Sequence, residues 1–274
     1  MLSLDRLIDH ALAEDIHTGD ITTQAVVPGK RPASARLIAK EDLVLAGIHV
    51  AERVFARVSP DISFSACHVD GARIKKGELI ASMTGDAANL LMAERVALNL
   101  LQRLSGVATL TARFVEAVQG TTARIVDTRK TTPGLRELEK YAVRVGGGIN
   151  HRTGLYDGVL IKENHIAAAG GISEAISRAR AYIPHTLKIE IETETLEQVE
   201  MALAAGADII MLDNMSLADM RSAVTMIGKR ALVEASGGVN LDSVRAIAET
   251  GVDIISVGAL THSPRAMDIS MLLD

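Results

Sequence analysis

The sequence has no tryptophan and only three phenylalanines and three tyrosines. The core must therefore be aliphatic, and the scarcity of stacking side chains argues against a nucleic-acid binder. One cysteine, Cys67, rules out an internal disulfide and a cysteine-only metal site and fits a reducing compartment. Basic residues are outnumbered, 29 against 34 acidic ones, for a net charge of -5. A general polyanion-binding surface is thus missing, and a phosphate-bearing ligand would have to meet a local basic patch. No apolar run reaches the roughly 18 residues of a membrane span. The opening stretch "MLSLDRLIDHALAEDIHTGD" carries acids throughout where a leader peptide would carry an apolar segment. A soluble cytoplasmic protein is expected.

What is present is an aliphatic composition, 48% apolar, that suits the buried strands of βα units. From about residue 185 a pattern recurs: an apolar run ends in a polar or small residue and an amphipathic stretch follows. "LKIEIE" ends at Glu192, "DIIMLD" at Asp213, "ALVEAS" at Ser236 and "DIISVG" at Gly258. Run ends spaced by a little over twenty residues match strand, loop, helix and loop. "ARIVD" (123–127) and "DGVLIK" (157–162) extend the series to six units. They predict a parallel sheet closed wholly or partly into a barrel, with an open doubly wound sheet as the competitor. The first hundred residues differ. "ASARLIAKEDLVLAG" and "GARIKKGELIASMTG" read as strand pairs with glycine turns, and a helical pattern covers residues 89–118. A smaller α/β domain over 1–105, a barrel over 106–261 and a C-terminal tail, 262–274, packing with the first domain are expected.

In such barrels reactive groups sit where strands end. The run ends place Asp127, Arg129, Lys130 and Lys162 on one side and Glu192, Asp213, Ser236 and Gly258 on the other. Residues 124–165 hold eight Lys or Arg against five acids, a net of +3 in an acidic chain. Arg136, Lys140 and Arg144 recur every four residues, as on a solvated helix face. Arg129, Arg152 and Lys162 have no such reading and would suit a small dianion, because Arg offers a planar fork and Lys a point charge. Arg152 follows Gly146, Gly147 and Gly148, which permit close backbone approach to a ligand. "KIEIE" alternates, so Lys188, Glu190 and Glu192 share one face and the isoleucines the other. Buried charges persist only when paired or bound. Glu192 with Asp213 could hold Mg²⁺ or a pair of ribose hydroxyls, and the alternative for Lys188 and Glu190 is an internal ion pair. Ser236, Gly237, Gly238 and Gly258 end the last two runs, where barrels often bind phosphate through backbone N–H groups. His151 and His165 have no second His or Cys at zinc-ligand spacing. The histidines at 10, 17, 49, 68 and 185 read as surface or capping residues.

These motifs resemble the quinolinate phosphoribosyltransferase family of type II phosphoribosyltransferases. The resemblance runs from "EDIHTGDITT" to "LTHSPRAMDIS" and includes "AERVALNLLQRLSGVAT", "DTRKTTPGLRELEKYAVRVGGGINHRTGLYDGVLIKENHI", "GADIIMLDN" and "EASGGV". It implies an incomplete, seven-stranded α/β barrel beside a smaller N-terminal α/β sandwich domain. One strand would then be missing from the six runs, near residues 106–120 or the domain junction. It also implies a Mg²⁺-dependent enzyme joining quinolinate to 5-phosphoribosyl-1-pyrophosphate (PRPP) with loss of CO₂, as a homodimer or larger homo-oligomer with shared sites.

By the same resemblance Arg129, His151, Arg152 and Lys162 would surround the quinolinate carboxylates, with Arg95 reaching in from a partner subunit. Lys130 would face the pyrophosphate, and Glu192 and Asp213 would take the ribose hydroxyls and the metal. Ser236, Gly237, Gly238 and Gly258 would take the phosphate end of PRPP. Lys130, Lys162, Glu192 and Asp213 would be the catalytic set. Rival readings are a paralogous phosphoribosyltransferase for another aromatic acid and a non-catalytic phosphate-ligand-binding barrel. A third is an aldolase-type barrel with Lys162 or Lys188 as a Schiff-base lysine.

Overall fold

The computed structural model describes residues 4–274 and divides into two compact units. The first comprises the described residues through Ala112 together with Thr132–Gly146 and Ser263–Asp274; the second comprises Arg113–Thr131 and Gly147–His262. Each is built from a different periodicity.

In the first unit the alternating run Pro32–Ala39 lies in the middle of an antiparallel four-stranded sheet. Its neighbours are Leu79–Asp86, with Ser63–Ala66 beyond, and Ile269–Leu273 on the other side. Leu37, Ile80 and Met83 face the core and are essentially inaccessible. The core is completed by Val54 and Phe55 of the Ile48–Val58 helix and Leu90, Leu101 and Leu104 of the 31-residue Ala87–Ala117 helix. Residues 106–117 therefore continue this helix and supply no strand. The Arg136–Val145 helix departs from the solvated face read from its spacing: Arg144 is exposed, but Lys140 is 3% exposed and Glu139 is fully buried. Glu139 is satisfied by Arg103, at 2.8 Å, and by the backbone and hydroxyl of Thr132. Four-residue spacing defines a helix face but not what covers it, which is why the pattern misled.

The second unit is a six-stranded parallel sheet in the order Arg124–Val126, Ile254–Ser256, Leu232–Ser236, Ile209–Asp213, Ile189–Thr193 and Val159–Ile161. Ile149 adds a one-residue parallel bridge to Val126 at the open edge, so a seventh extended position lies there. Ile189, Ile191, Ile210, Leu212, Val233, Ala235 and Ile255 form the fully or nearly buried outward face. The acids opening "DIIMLD" and "DIISVG" pin the strand starts: Asp208 accepts the N–H of Ile189 and Asp253 that of Val233. Register then fixes the inner face. Glu190 stands level with Ile209, Glu192 with Met211, Met211 with Glu234, and Asp213 with Ser236. No described helix is long and apolar enough to cross a membrane.

Candidate active site

Parallel register carries the charged face of "KIEIE" into the barrel, and each inner residue meets a different partner. One step past the Ile161 to Ile191 pairing, Lys162 stands level with Glu192, and their side chains form an ion pair. Lys162 is about half exposed and Glu192 largely covered. Glu190 contacts His151 rather than making the internal Lys188 pair weighed from sequence. His165, one of the two histidines of the cationic stretch, closes the first turn of the Glu163–Ala169 helix. Its Nδ1 accepts the N–H of Lys162.

The segment after the Ile149 bridge is held by Asp127, which is fully buried at the end of its strand. Asp127 accepts the backbone N–H of His151 at 2.8 Å and the Asn150 amide at 2.6 Å. The backbone N–H of Arg152 in turn donates to His151 Nδ1 at 2.8 Å. Arg152 Nη1 donates to the carbonyl of Gly158, and its Nε is buried without a partner. Burial, followed by the neighbouring Arg129, lowers the Arg152 pKa, while Glu190 and Asp157 oppose this. A guanidinium remains charged under such a shift. Arg129 is thus near enough for its charge to act on Arg152, and Arg152, with His151, Glu190 and Glu234, helps to line a cavity of about 430 Å³.

The glycine turns read from sequence as phosphate sites lie at strand ends. Gly237 and Gly238 have φ of +91° and +59°, and Asn214 has +53°. A Cβ on Gly237 would lie 2.3 Å from Asn214 Oδ1. Asn214 donates its side-chain amide to Asp213 and its N–H to the carbonyl of Ser236, joining the two strand ends. Lys130 is exposed and packs beside Gly258, where an added Cβ would lie 3.2 Å from both Lys130 Cδ and the His262 ring. The hydroxyl of Thr261 donates to the carbonyl of Lys130. Lys130, Gly258 and His262 therefore form one cluster. Arg95 stands on the exposed side of the long helix, in the first unit.

Deeper in the barrel lies a group that sequence reasoning left without a role. Glu234, on the inner face of "ALVEAS", is 1% exposed and Glu190 is 4% exposed. His151 Nε2 is 3.0 Å from Glu190 Oε2 and 3.7 Å from Glu234 Oε2. Burial, and then the charge of Glu190, raise the Glu234 pKa to about 7. The alternation of "ALVEAS" carried the signal, since it puts Glu234 on the face of Ser236. Asn214 had no such signal, because its role depends on a left-handed backbone.

Glu192 and Asp213 are an all-oxygen donor set at adjacent strand ends, a chemistry that fits Mg²⁺ completed by water and substrate oxygens. Family models for the N-terminal and C-terminal domains of quinolinate phosphoribosyl transferase match residues 20–105 and 107–272. A probable nicotinate-nucleotide pyrophosphorylase (carboxylating) of Bacillus subtilis is 48% identical, covering 98% of this chain and 93% of that protein. The nicotinate-nucleotide pyrophosphorylase (carboxylating) of Mycobacterium leprae is 45% identical over 96% and 95% of the two chains. The solved structure of the nicotinate-nucleotide pyrophosphorylase from Francisella tularensis superposes with a TM-score of 0.95 at 40% identity, covering 100% of this chain and 98% of that one.

Proposed function

Because the chain belongs to the quinolinate phosphoribosyltransferase family, we propose that it transfers the phosphoribosyl group of PRPP to quinolinate with loss of CO₂. The products are nicotinate mononucleotide and pyrophosphate, for NAD biosynthesis. The observation that carries this reading is the juxtaposition of Arg129 and Arg152, with Arg152 buried at an unpartnered Nε. Like charges held together in a partly buried site call for an anion, and two planar forks match two carboxylates.

In this reading Arg129 and Arg152 orient the acid so that its ring nitrogen meets the anomeric carbon. The N–C bond forms as the bond to pyrophosphate breaks. Lys130, beside Gly258, meets the charge growing on the departing pyrophosphate, the position at which a preorganised cation helps most. Lys162 stands between the acid and the ribose, and its pairing with Glu192 orients that carboxylate toward ribose hydroxyls. Glu192 and Asp213 would hold Mg²⁺, which when bound supplies charge neutralisation to the phosphate oxygens. The Ser236–Gly238 turn would receive the phosphate end. Once the ring nitrogen is quaternary, the C2 carboxylate leaves as CO₂, its bonding pair stays at C2 beside the cationic nitrogen, and a proton adds there.

We further infer a cytoplasmic homodimer or larger homo-oligomer in which Arg95 serves a neighbouring subunit's acid site. The exposure of Arg95 supports this. Purified protein incubated with quinolinate, PRPP and Mg²⁺ should release pyrophosphate and CO₂ in equal amounts. Release of neither would sink the reading. Borohydride trapping of a substrate adduct on Lys162 or Lys188 would favour an aldolase-type barrel instead.

A further inference from the structure

Two glutamates buried side by side within the barrel are costly, since like charges and desolvation both oppose ionisation. Neither touches the strand-end groups assigned to PRPP in the contacts described above. We propose that Glu190 is a positioning residue for the acid substrate: it holds the His151 imidazole through Nε2, with Glu234 packed behind it, and His151 in turn fixes the backbone from which Arg152 projects. The proposal rests on the reading of Arg152 as a quinolinate carboxylate fork and changes the part His151 plays in it.

A backbone N–H can only donate, so the 2.8 Å contact from Arg152 N–H makes His151 Nδ1 an acceptor. The imidazole proton then resides on Nε2, which faces Glu190 Oε2 at 3.0 Å and Glu234 Oε2 at 3.7 Å. Both ring nitrogens are engaged inside the protein. His151 therefore acts through Arg152 instead of presenting a free N–H to the substrate.

The charges agree with this arrangement. The imidazole faces Glu190, the nearer carboxylate, and burial together with the charge of Glu190 favours the protonated acid at Glu234. Glu190 in turn favours the charged form of Arg152. Asp127 holds the same segment from the other side through the His151 N–H. The fork is thus braced by one carboxylate on its backbone and two beneath its neighbouring ring. The Oε1 atoms of Glu190 and Glu234 are buried without partners, and Glu234 is also hydrogen-bonded by Ser256.

A divalent cation is the competing occupant, because the three candidate ligand atoms lie within 4.8 Å of one another. A metal on Nε2 would displace the proton that the clamp requires. Histidine ¹⁵N NMR of the ligand-free protein separates the two without any substrate. The expected result is an Nε2–H tautomer for His151, with no metal-bound shift on adding Zn²⁺. An Nδ1–H tautomer, or a metal-bound shift at stoichiometric metal, would overturn the clamp.

Kinetics supply the second arm. Methionine at 190 cannot accept the Nε2 proton, so Glu190→Met should raise KM for quinolinate about tenfold or more, the size of a lost charge-assisted bond. KM for PRPP should stay within about twofold if the effect is confined to the acid pocket. Glu190→Gln, whose amide oxygen can accept, should recover most of the loss. An unchanged quinolinate KM in Glu190→Met, or equal rises for both substrates, would refute the positioning role. Should the wild type transfer no phosphoribosyl group at all, the functional reading falls, and the NMR arm still decides the clamp.

Discussion

At the scale of single residues, the proposed reaction gives the adjacent cations Arg129 and Lys130 different tasks. In that proposal the planar fork serves the carboxylates and the point charge the pyrophosphate. The double exchange Arg129→Lys with Lys130→Arg keeps net charge constant, so a purely electrostatic site would tolerate it. We expect KM to rise for both substrates, by about tenfold each if one charge-assisted bond is lost at each end. Steady-state kinetics with each substrate varied in turn would check this. Arg152→Ala should abolish measurable quinolinate binding by calorimetry while circular dichroism stays native. The alanine removes a fork whose Nη1 holds the Gly158 carbonyl and leaves the Asp127 brace in place.

At the scale of elements, the six strands were legible because each apolar run alternates or ends abruptly, and their spacing repeats. The strand-end residues followed from the architecture, since Lys162, Glu192, Asp213 and Ser236 all lie on or just beyond sheet ends. The Ile149 position was illegible because a one-residue bridge has no periodicity. Lys140 was misread because burial depends on what covers a helix, and Glu234 was passed over because a lone acid in an apolar run looks like a strand's polar alternate. Turns also hide their reasons in sequence. Gly237 reads as ordinary loop chemistry, yet its left-handed φ and the nearby Asn214 amide leave no room for a methyl group. Gly237→Ala should cost on the order of 1–3 kcal/mol of stability and weaken PRPP binding more than quinolinate binding. Thermal denaturation and separate ligand titrations would measure the two effects.

At the scale of the whole molecule, the buried acid of Glu234 links stability to pH. Its folded pKa, about 7, stands above the ordinary 4.5, so the native state holds the proton longer than the unfolded chain. Its contribution is therefore fully present below about pH 4.5 and is lost as pH rises to 7. The loss is on the order of 3 kcal/mol. Glu234→Gln removes this slope, and its melting temperature relative to wild type should climb by several degrees between pH 5 and pH 8. A flat difference across that range would show that Glu234 titrates normally.

The path of the chain imposes a further condition. The central strand of the first unit, Pro32–Ala39, has one neighbour in Ile269–Leu273, a segment far downstream in the chain. During synthesis on the ribosome that edge must wait, unpaired, until Ile269–Leu273 emerges. The earlier strands are thus exposed to pairing with other nascent chains while all six strands of the second sheet are being made.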